Sequence, residues 1–334
     1  MKLELDLNGL FRADRAPVDE PVLRVEIPSY AFVKPPPRSS RSVGASKQAS
    51  TRKKKGRERD SKEREQGPEP MLKPGSILDK YRIENLLGRG GFGLVYLATH
   101  MLLRTPVAIK ILRSRHLKPG GRARTALWEE ARLAARIAHP NVVQIHDVTV
   151  TPELSFIVME YVPGLNLDQT VKKRGPVGVP EALDIALQVA EGLRAAHKLG
   201  LIHLDIKPAN ILVRSDGVAK IVDLGLARAT ADEGFAAQLS RPVGTYGYMA
   251  PEISGEPQRV DFRADIFSLG VTLFHSIVGV LPKDAKGAFA RMAPSVEKLL
   301  RSMMAEDVSR RPVSYDNLVR DLRECIKALP SATP

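Results

Sequence analysis

The chain has 334 residues, a formal net charge of +13 and one cysteine, Cys325. That length allows one large domain or two smaller ones. A single cysteine excludes an intrachain disulfide and any cysteine-based metal site, and fits a reducing compartment.

Residues 1–70 differ in composition from the rest. Lys34 to Arg57 carries nine Lys or Arg and no acid, together with Pro35-Pro36-Pro37 and many serines. From Arg57 to Glu65 the charges alternate in sign. Such a segment cannot bury enough apolar surface to offset its ordering entropy, so residues 1–70 are expected to be a largely disordered basic tail. Residues 2–6 and 22–33 are the exception, where Val22, Leu23, Val25, Ile27, Tyr30 and Phe32 are material for a short strand or docking peptide. The run 34–57 is a candidate tether for an acidic protein, an anionic lipid surface or nucleic acid. The start, Met1-Lys-Leu-Glu-Leu-Asp-Leu-Asn8, alternates charge with leucine and does not resemble a secretory signal. No apolar run reaches membrane-spanning length, so a cytoplasmic location is expected.

From about Met71 the pattern becomes globular, and a folded domain is expected over 71–330. Tyr81–Leu87 and Val95–Ala98 flank a glycine-rich turn, and Val107–Leu112 is a β-branched run that reads as a strand. Arg124–Ala138 has helical periodicity, with Leu127, Glu130, Ala131, Ala134 and Ile137 on one face, and His139-Pro140-Asn141 ends it. Val142–Val148 and Ser155–Tyr161 read as strands joined by a turn at Thr151-Pro152. After Pro163-Gly164 the pattern turns helical, with Glu181–Leu199 starting behind Pro180. Ile211–Val213 and Ala219–Val222 are short strands around the turn Ser215-Asp216-Gly217. A loop of about 25 residues follows from Asp223 to Pro251, a length that usually signals function or mobility. Ala264–Val278, Ser295–Met304 and Tyr315–Ala328 close the chain as helices.

Three motifs carry chemistry. Gly88-Arg-Gly90-Gly-Phe-Gly93-Leu-Val95 lets backbone approach phosphate oxygens. A dinucleotide fingerprint needs a helix at its third glycine. Here Leu94–Leu97 continue as a strand, which favours a strand–turn–strand flap over phosphates. Val107-Ala-Ile-Lys110 places a lysine inside an apolar strand, where an ammonium is costly unless paired. Glu130, on the apolar face of the next helix, is the expected partner. Finally, Leu201 to Val213 sets His203, Asp205, Lys207 and Asn210 in a polar loop between apolar anchors, with Pro208 barring a regular helix. Asp205 is placed to accept a proton from an attacking hydroxyl, and Lys207 to neutralise charge on a transferred phosphate. Asn210 and Asp223 are oxygen ligands suited to Mg²⁺. His203, beside Ile202, reads as structural support.

In order, these motifs resemble those of the protein-kinase superfamily, and most of all the eukaryotic-like Ser/Thr kinases of bacteria. Glu130, Asp223-Leu-Gly225 and Ala250-Pro-Glu252 complete the match. The resemblance implies an α+β bilobal kinase fold. A small β-rich N-lobe with one helix spans about 78–162, and a larger, mainly helical C-lobe about 163–330. It implies ATP with Mg²⁺ (or Mn²⁺), held by Leu87, Gly88, Gly90, Gly91, Gly93, Val95, Ala108, Lys110, Glu130, Met159, Glu160, Val162, Asn210, Leu212 and Asp223. Asn210 and Asp223 would be the metal ligands, Asp205 and Lys207 the catalytic pair, and a protein Ser/Thr hydroxyl the acceptor. Asp265 resembles the aspartate that braces the catalytic loop, and Glu252 and Arg311 resemble a lower-lobe ion pair. A pseudokinase-like nucleotide-binding scaffold is the rival reading, and the presence of Lys110, Asp205, Asn210 and Asp223 argues against it.

The chain departs from the family pattern in four places. Leu204 stands where regulated kinases carry the arginine that pairs with an activation-loop phosphate, so activity independent of that phosphate is expected. Leu224 replaces the usual phenylalanine. Ala134 offers less packing than the larger residue usual there. The segment between Gly279 and Pro294 is short, in a region that often docks substrates.

Overall fold

The computed structural model describes residues 71–90, 93–112, 131–150, 155–223, 228–229, 244–255 and 260–330. The expectations for the tail 1–70, Gly91, the helix before Ala131 with Glu130, the turn at Thr151-Pro152 and Leu224-Gly225 lie outside those residues. The elements below all lie in the unit Pro74–Pro334.

Six strands form an antiparallel sheet. They are β1 (Ile77–Leu78), β2 (Tyr81–Gly90), β3 (Gly93–His100), β4 (Pro106–Leu112), β5 (Ile145–Val150) and β6 (Ser155–Glu160), in the order β1-β2-β3-β4-β6-β5. β2 alternates buried and exposed residues over its first half, as a strand with one solvated face should. Central β4 buries Val107 to Lys110 in succession, so both of its faces are covered. At the β2–β3 hairpin, Gly93 pairs with Gly90 across the turn. A side chain at Gly93 would collide with the carbonyl of Ile111, so only glycine permits this approach of β3 to β4.

Residues 131–134 are helical, and the chain then tightens into i→i+3 bonds, Arg136 N–H to Leu133 O and Ile137 N–H to Ala134 O. The helix therefore ends before the His-Pro-Asn stop expected from sequence. Val142 and Val143, expected to begin a strand of the upper sheet, pair with Ile221 of the lower part instead.

The lower part is helical. β7 (Leu165–Asn166) leads into α1 (Leu167–Arg174), and α2 is Val179–His197. β8 (Leu201–Ile202), β9 (Ile211–Val213), β10 (Ala219–Ile221) and β11 (Arg228–Ala229) form two small antiparallel sheets, β10-β9-β7 and β11-β8. α3 (Pro251–Gly255), α4 (Arg263–Val278), α5 (Pro294–Met303) and α6 (Tyr315–Lys327) follow. α1 was not foreseen. It buries only Leu167 and Val171, and its signal is a capping box in which Asn166 and Gln169 exchange side-chain and backbone bonds.

α5 and α6 are amphipathic, burying Val296, Leu299, Leu300 and Met303, and Tyr315, Leu318, Val319, Leu322 and Cys325. α4 is apolar nearly all round and lies inside the core, among side chains from α2, α5 and α6. Gly192 of α2 sits where a Cβ would meet the Asn141 carbonyl and the Ile221 side chain at 2.9 Å, so its lack of a side chain sets how closely α2 approaches β10. Among the described residues no helix is long and apolar enough to cross a membrane.

Candidate active site

The loop between β8 and β9 is held from below by one buried carboxylate. Asp265, in the first turn of α4, accepts the backbone N–H of His203 at 2.8 Å and of Leu204 at 2.7 Å. Burial pushes its carboxyl pKa up, while these two N–H bonds pull the other way. Leu204 adopts a left-handed φ of 62°, a strained setting for a leucine. Its side chain is buried in an apolar cluster with Ile202, Ala250, Ile253, Val260 and Ala264. Where an arginine would reach outward to a phosphate, this chain packs a hydrocarbon inward.

His203 is buried and structural in its contacts. Its Nε2 donates to the carbonyl of Val222 at 3.1 Å, so Nδ1 accepts the N–H of Asp205 at 3.2 Å.

Asp205, two residues on, is 8% exposed and accepts four hydrogen bonds from three side chains. Lys207 Nζ donates to Oδ2 at 2.7 Å, and Asn210 Nδ2 donates to Oδ2 at 3.1 Å and to the Asp205 carbonyl at 2.9 Å. The Thr245 hydroxyl donates to Oδ1 at 2.8 Å and accepts from Lys207 Nζ at 2.6 Å. Pro208 opens a 3₁₀ turn through Asn210, which carries the asparagine back toward Asp205. The structure thus brings three of the foreseen residues together and adds Thr245, which lies 40 positions away in the chain.

A second pair joins the six-stranded sheet to the end of β10. Lys110 sits in mid-sheet, opposite Val95 on one side and Ile157 on the other. Its Nζ lies 2.7 Å from Asp223 Oδ1. Asp223 follows β10 with φ 64°. Ala108 lies opposite Met159, and Val95 opposite Gly88, so the glycine strand, β4 and the end of β6 form adjoining rungs of one sheet. Leu87 is 45% exposed, Val162 is buried, and Leu212 is half-buried on β9.

Sequence reasoning missed Lys220. It is 8% exposed in β10, and its Nζ lies 2.9 Å from both carboxylate oxygens of Glu160. The Glu160 N–H also donates to the Gln144 carbonyl at 2.9 Å. The available signal was the one that marked Lys110, a lysine beside apolar strand residues.

Below the loop, Arg311 is fully buried and forms a two-pronged pair with Glu252, at 2.6 and 2.9 Å, with further bonds to the carbonyls of Ala305 and Arg263. The Thr245 segment is pinned as well. The Tyr248 hydroxyl donates to His275 Nδ1 at 2.5 Å, and burial pushes that phenol up to about 12 and lowers the imidazole.

A lysine–aspartate pair with a buried lysine, together with a loop in which aspartate, lysine and asparagine converge, defines a phosphotransferase-like class of site. The chain belongs to the protein kinase family: the model described as "Protein kinase domain" matches residues 81–330. Serine/threonine-protein kinase PknH of Mycobacterium bovis is 37% identical over 253 residues, covering 71% of this chain and 42% of that protein. Serine/threonine-protein kinase PknE of Mycobacterium tuberculosis is 39% identical over 208 residues, covering 62% and 36%. The crystal structure of the Mycobacterium tuberculosis PknI kinase domain superposes with a TM-score of 0.59 at 26% identity, covering 76% of this chain and 99% of that domain. The chain spans about two-fifths of the length of the curated relatives it matches.

Proposed function

We propose that this chain is an active Ser/Thr protein kinase that moves the γ-phosphoryl group of ATP to a protein hydroxyl. The observation that carries the reading is the convergence of Lys207, Asn210 and Thr245 on the Asp205 carboxylate. Asp205 Oδ1, now accepting the Thr245 hydroxyl, is the atom on which a substrate hydroxyl would rest its proton. Lys207, already within reach of both oxygen-bearing partners, would follow the transferred phosphoryl group. Lys110, held in mid-sheet, would orient the remaining phosphates. Leu87, Val95, Ala108, Met159, Val162 and Leu212 supply an apolar slot for the base, with backbone edges at Glu160 and Val162, and Gly88, Gly90, Gly91 and Gly93 cover the phosphates. Glu130 is assigned as a second partner of Lys110.

The donor set suits Mg²⁺. Asn210 spends its Nδ2 on Asp205, which turns its oxygen to the opposite side, and Asp223 keeps 38% of its side chain exposed. Among the described residues no cluster of three or more His, Cys, Asp or Glu forms a closed metal cage. Two hard oxygen ligands without a cage are what a cation shared with phosphates requires. Such an ion would neutralise phosphate charge.

Retention of Lys110, Asp205, Asn210 and Asp223 favours catalysis over a nucleotide-binding scaffold. The apolar setting of Leu204 supports activity that does not wait for an activation-loop phosphate. The basic run 34–57 suits a polyanionic partner, and a cytoplasmic location is part of the proposal. Incubation with γ-labelled ATP, Mg²⁺ and two generic proteins, one basic and one acidic, followed by phosphoamino-acid analysis, tests the reading. Label on serine or threonine is expected. ATP binding without transfer to any protein would move the chain to the scaffold class.

A further inference from the structure

The short segment after α4 reaches the rim of the site. Thr245, Gly247 and Tyr248 are each held from beneath. Thr245 is bonded to Asp205, and Tyr248 to His275. Gly247, with φ 99°, lies against Leu281, whose Cδ1 would be 2.8 Å from any added Cβ. Tyr246, between them, is 85% exposed. The packing of Gly247 on Leu281 brings the following 3₁₀ turn, Pro282–Asp284, up beside the loop. The Lys283 ammonium then stands over the Tyr246 ring, 5.2 Å from its centroid. Lys286 and Arg291, both exposed, lie on the same segment, and Asp284 is the only acid between Gly279 and Pro294.

We infer that Lys283, carried on the face of Tyr246, is a specificity-determining residue that selects protein segments with an acidic side chain beside the phosphorylated hydroxyl. The inference rests on the kinase reading above and adds its substrate class. The geometry sets the range. Tyr246 adjoins the threonine bonded to the catalytic carboxylate, so a peptide placing its hydroxyl at Asp205 passes Tyr246. Neighbouring Cα atoms are about 3.8 Å apart, which puts the Lys283 ammonium within about four residues of the acceptor. The ring holds the ammonium by its quadrupole and leaves the outer hydrogens free for a carboxylate. The surrounding positive charge steers acidic segments in and repels basic ones. Segment 279–294 thus has a role in substrate recognition despite its brevity. The chain's own basic run, Lys34 to Arg57, becomes a poor substrate although it contains Ser39, Ser40, Ser42, Ser46, Ser50 and Thr51.

The test uses the full chain, ATP and Mg²⁺ with a positional-scanning serine peptide library, alongside a peptide copying residues 37–52. Wild type is expected to favour Asp or Glu at one or more positions within four residues of the acceptor, and to phosphorylate the 37–52 peptide poorly. Lys283→Glu is expected to reverse the acid-to-base ratio of kcat/KM at those same positions by about tenfold or more. Tyr246→Ala should flatten the preference without reversing it. Phosphorylation with no acidic preference, or an unchanged profile in Lys283→Glu, overturns the inference and leaves the kinase reading standing. No phosphorylation of any peptide or protein by wild type overturns both.

Discussion

Lys110 Nζ lies 2.7 Å from Asp223 Oδ1 and joins the centre of the upper sheet to the residue that leaves β10. The two ends differ. The lysine side chain is 10% exposed and the aspartate 38%, so the cation is nearly desolvated while the carboxylate still opens outward. A pair arranged this way anchors the lysine and leaves the aspartate with oxygen to spare. Lys110→Met keeps the apolar stem and removes the charge. Phosphate transfer is expected to fall by at least about 100-fold, the usual cost of losing one preorganised electrostatic group. Steady-state transfer assays read this, with a melting curve to show the fold is intact. More than half of wild-type activity in this variant would contradict the role.

Asp265 sets the conformation of the catalytic loop through two backbone bonds. Asp265→Ala leaves two buried N–H donors without an acceptor, at a cost of about 2–5 kcal/mol. It also frees Leu204 from its left-handed setting, so transfer should fall together with stability. Asp265→Asn keeps one acceptor oxygen and should cost less on both counts. Urea unfolding of the two variants orders them.

Arg311 and Glu252 form a buried pair with little access to solvent. Arg311→Ala strands the carboxylate and is expected to cost about 3–5 kcal/mol. Replacing both partners by Met and Leu should recover much of the loss, because two desolvated charges disappear together. Equal destabilisation by the single and the double replacement would show that the pair's charge is not what matters.

Leu204 makes regulation testable. Thr230, Ser240 and Thr245 are the only Ser or Thr between Gly225 and Ala250, and Thr245 is bonded to Asp205. The Thr230→Ala/Ser240→Ala protein, after phosphatase treatment, is expected to keep activity within about threefold of wild type, because an apolar Leu204 cannot receive a loop phosphate. Loss of activity in that variant would remove the phosphate-independent reading.

Two histidines set an acid limit. Burial lowers the imidazole of both His139 and His275. In the unfolded chain each takes a proton near its ordinary value of about 6.5, so the unfolded state binds more protons just below that pH. The stability from burying them neutral is present in full above it and lost as pH falls toward the lowered folded values. Protonating His275 also removes the acceptor of the Tyr248 hydroxyl. The melting temperature should therefore drop between pH 7.5 and pH 5.5, and by less in His275→Asn. An equal drop in both proteins would exclude His275 as a contributor.

The convergence of Asp205, Lys207 and Asn210 was legible because the polar residues sit within eight positions in fixed order, and the glycine hairpin because the strand continues past the third glycine. Partnerships across the chain were not. Nothing local to Lys110 indicates Asp223, 113 positions on, or to Asp205 indicates Thr245; folding alone brings them together. Val142 and Val143 look like the start of β5, yet an apolar run cannot say which strand it will meet, and here it meets Ile221. α1 was hidden because two buried residues in eight give no period.

The most direct test compares wild type with Asp205→Asn, measuring nucleotide binding and phosphate transfer on the same preparations. The substitution keeps the shape and the acceptor oxygen but removes the charge that is proposed to take the proton. Nucleotide binding is expected to change little, as judged by the thermal shift on adding ATP and Mg²⁺, while transfer to protein falls by about 100-fold or more. Equal transfer by the two proteins, or none by wild type, would contradict the account.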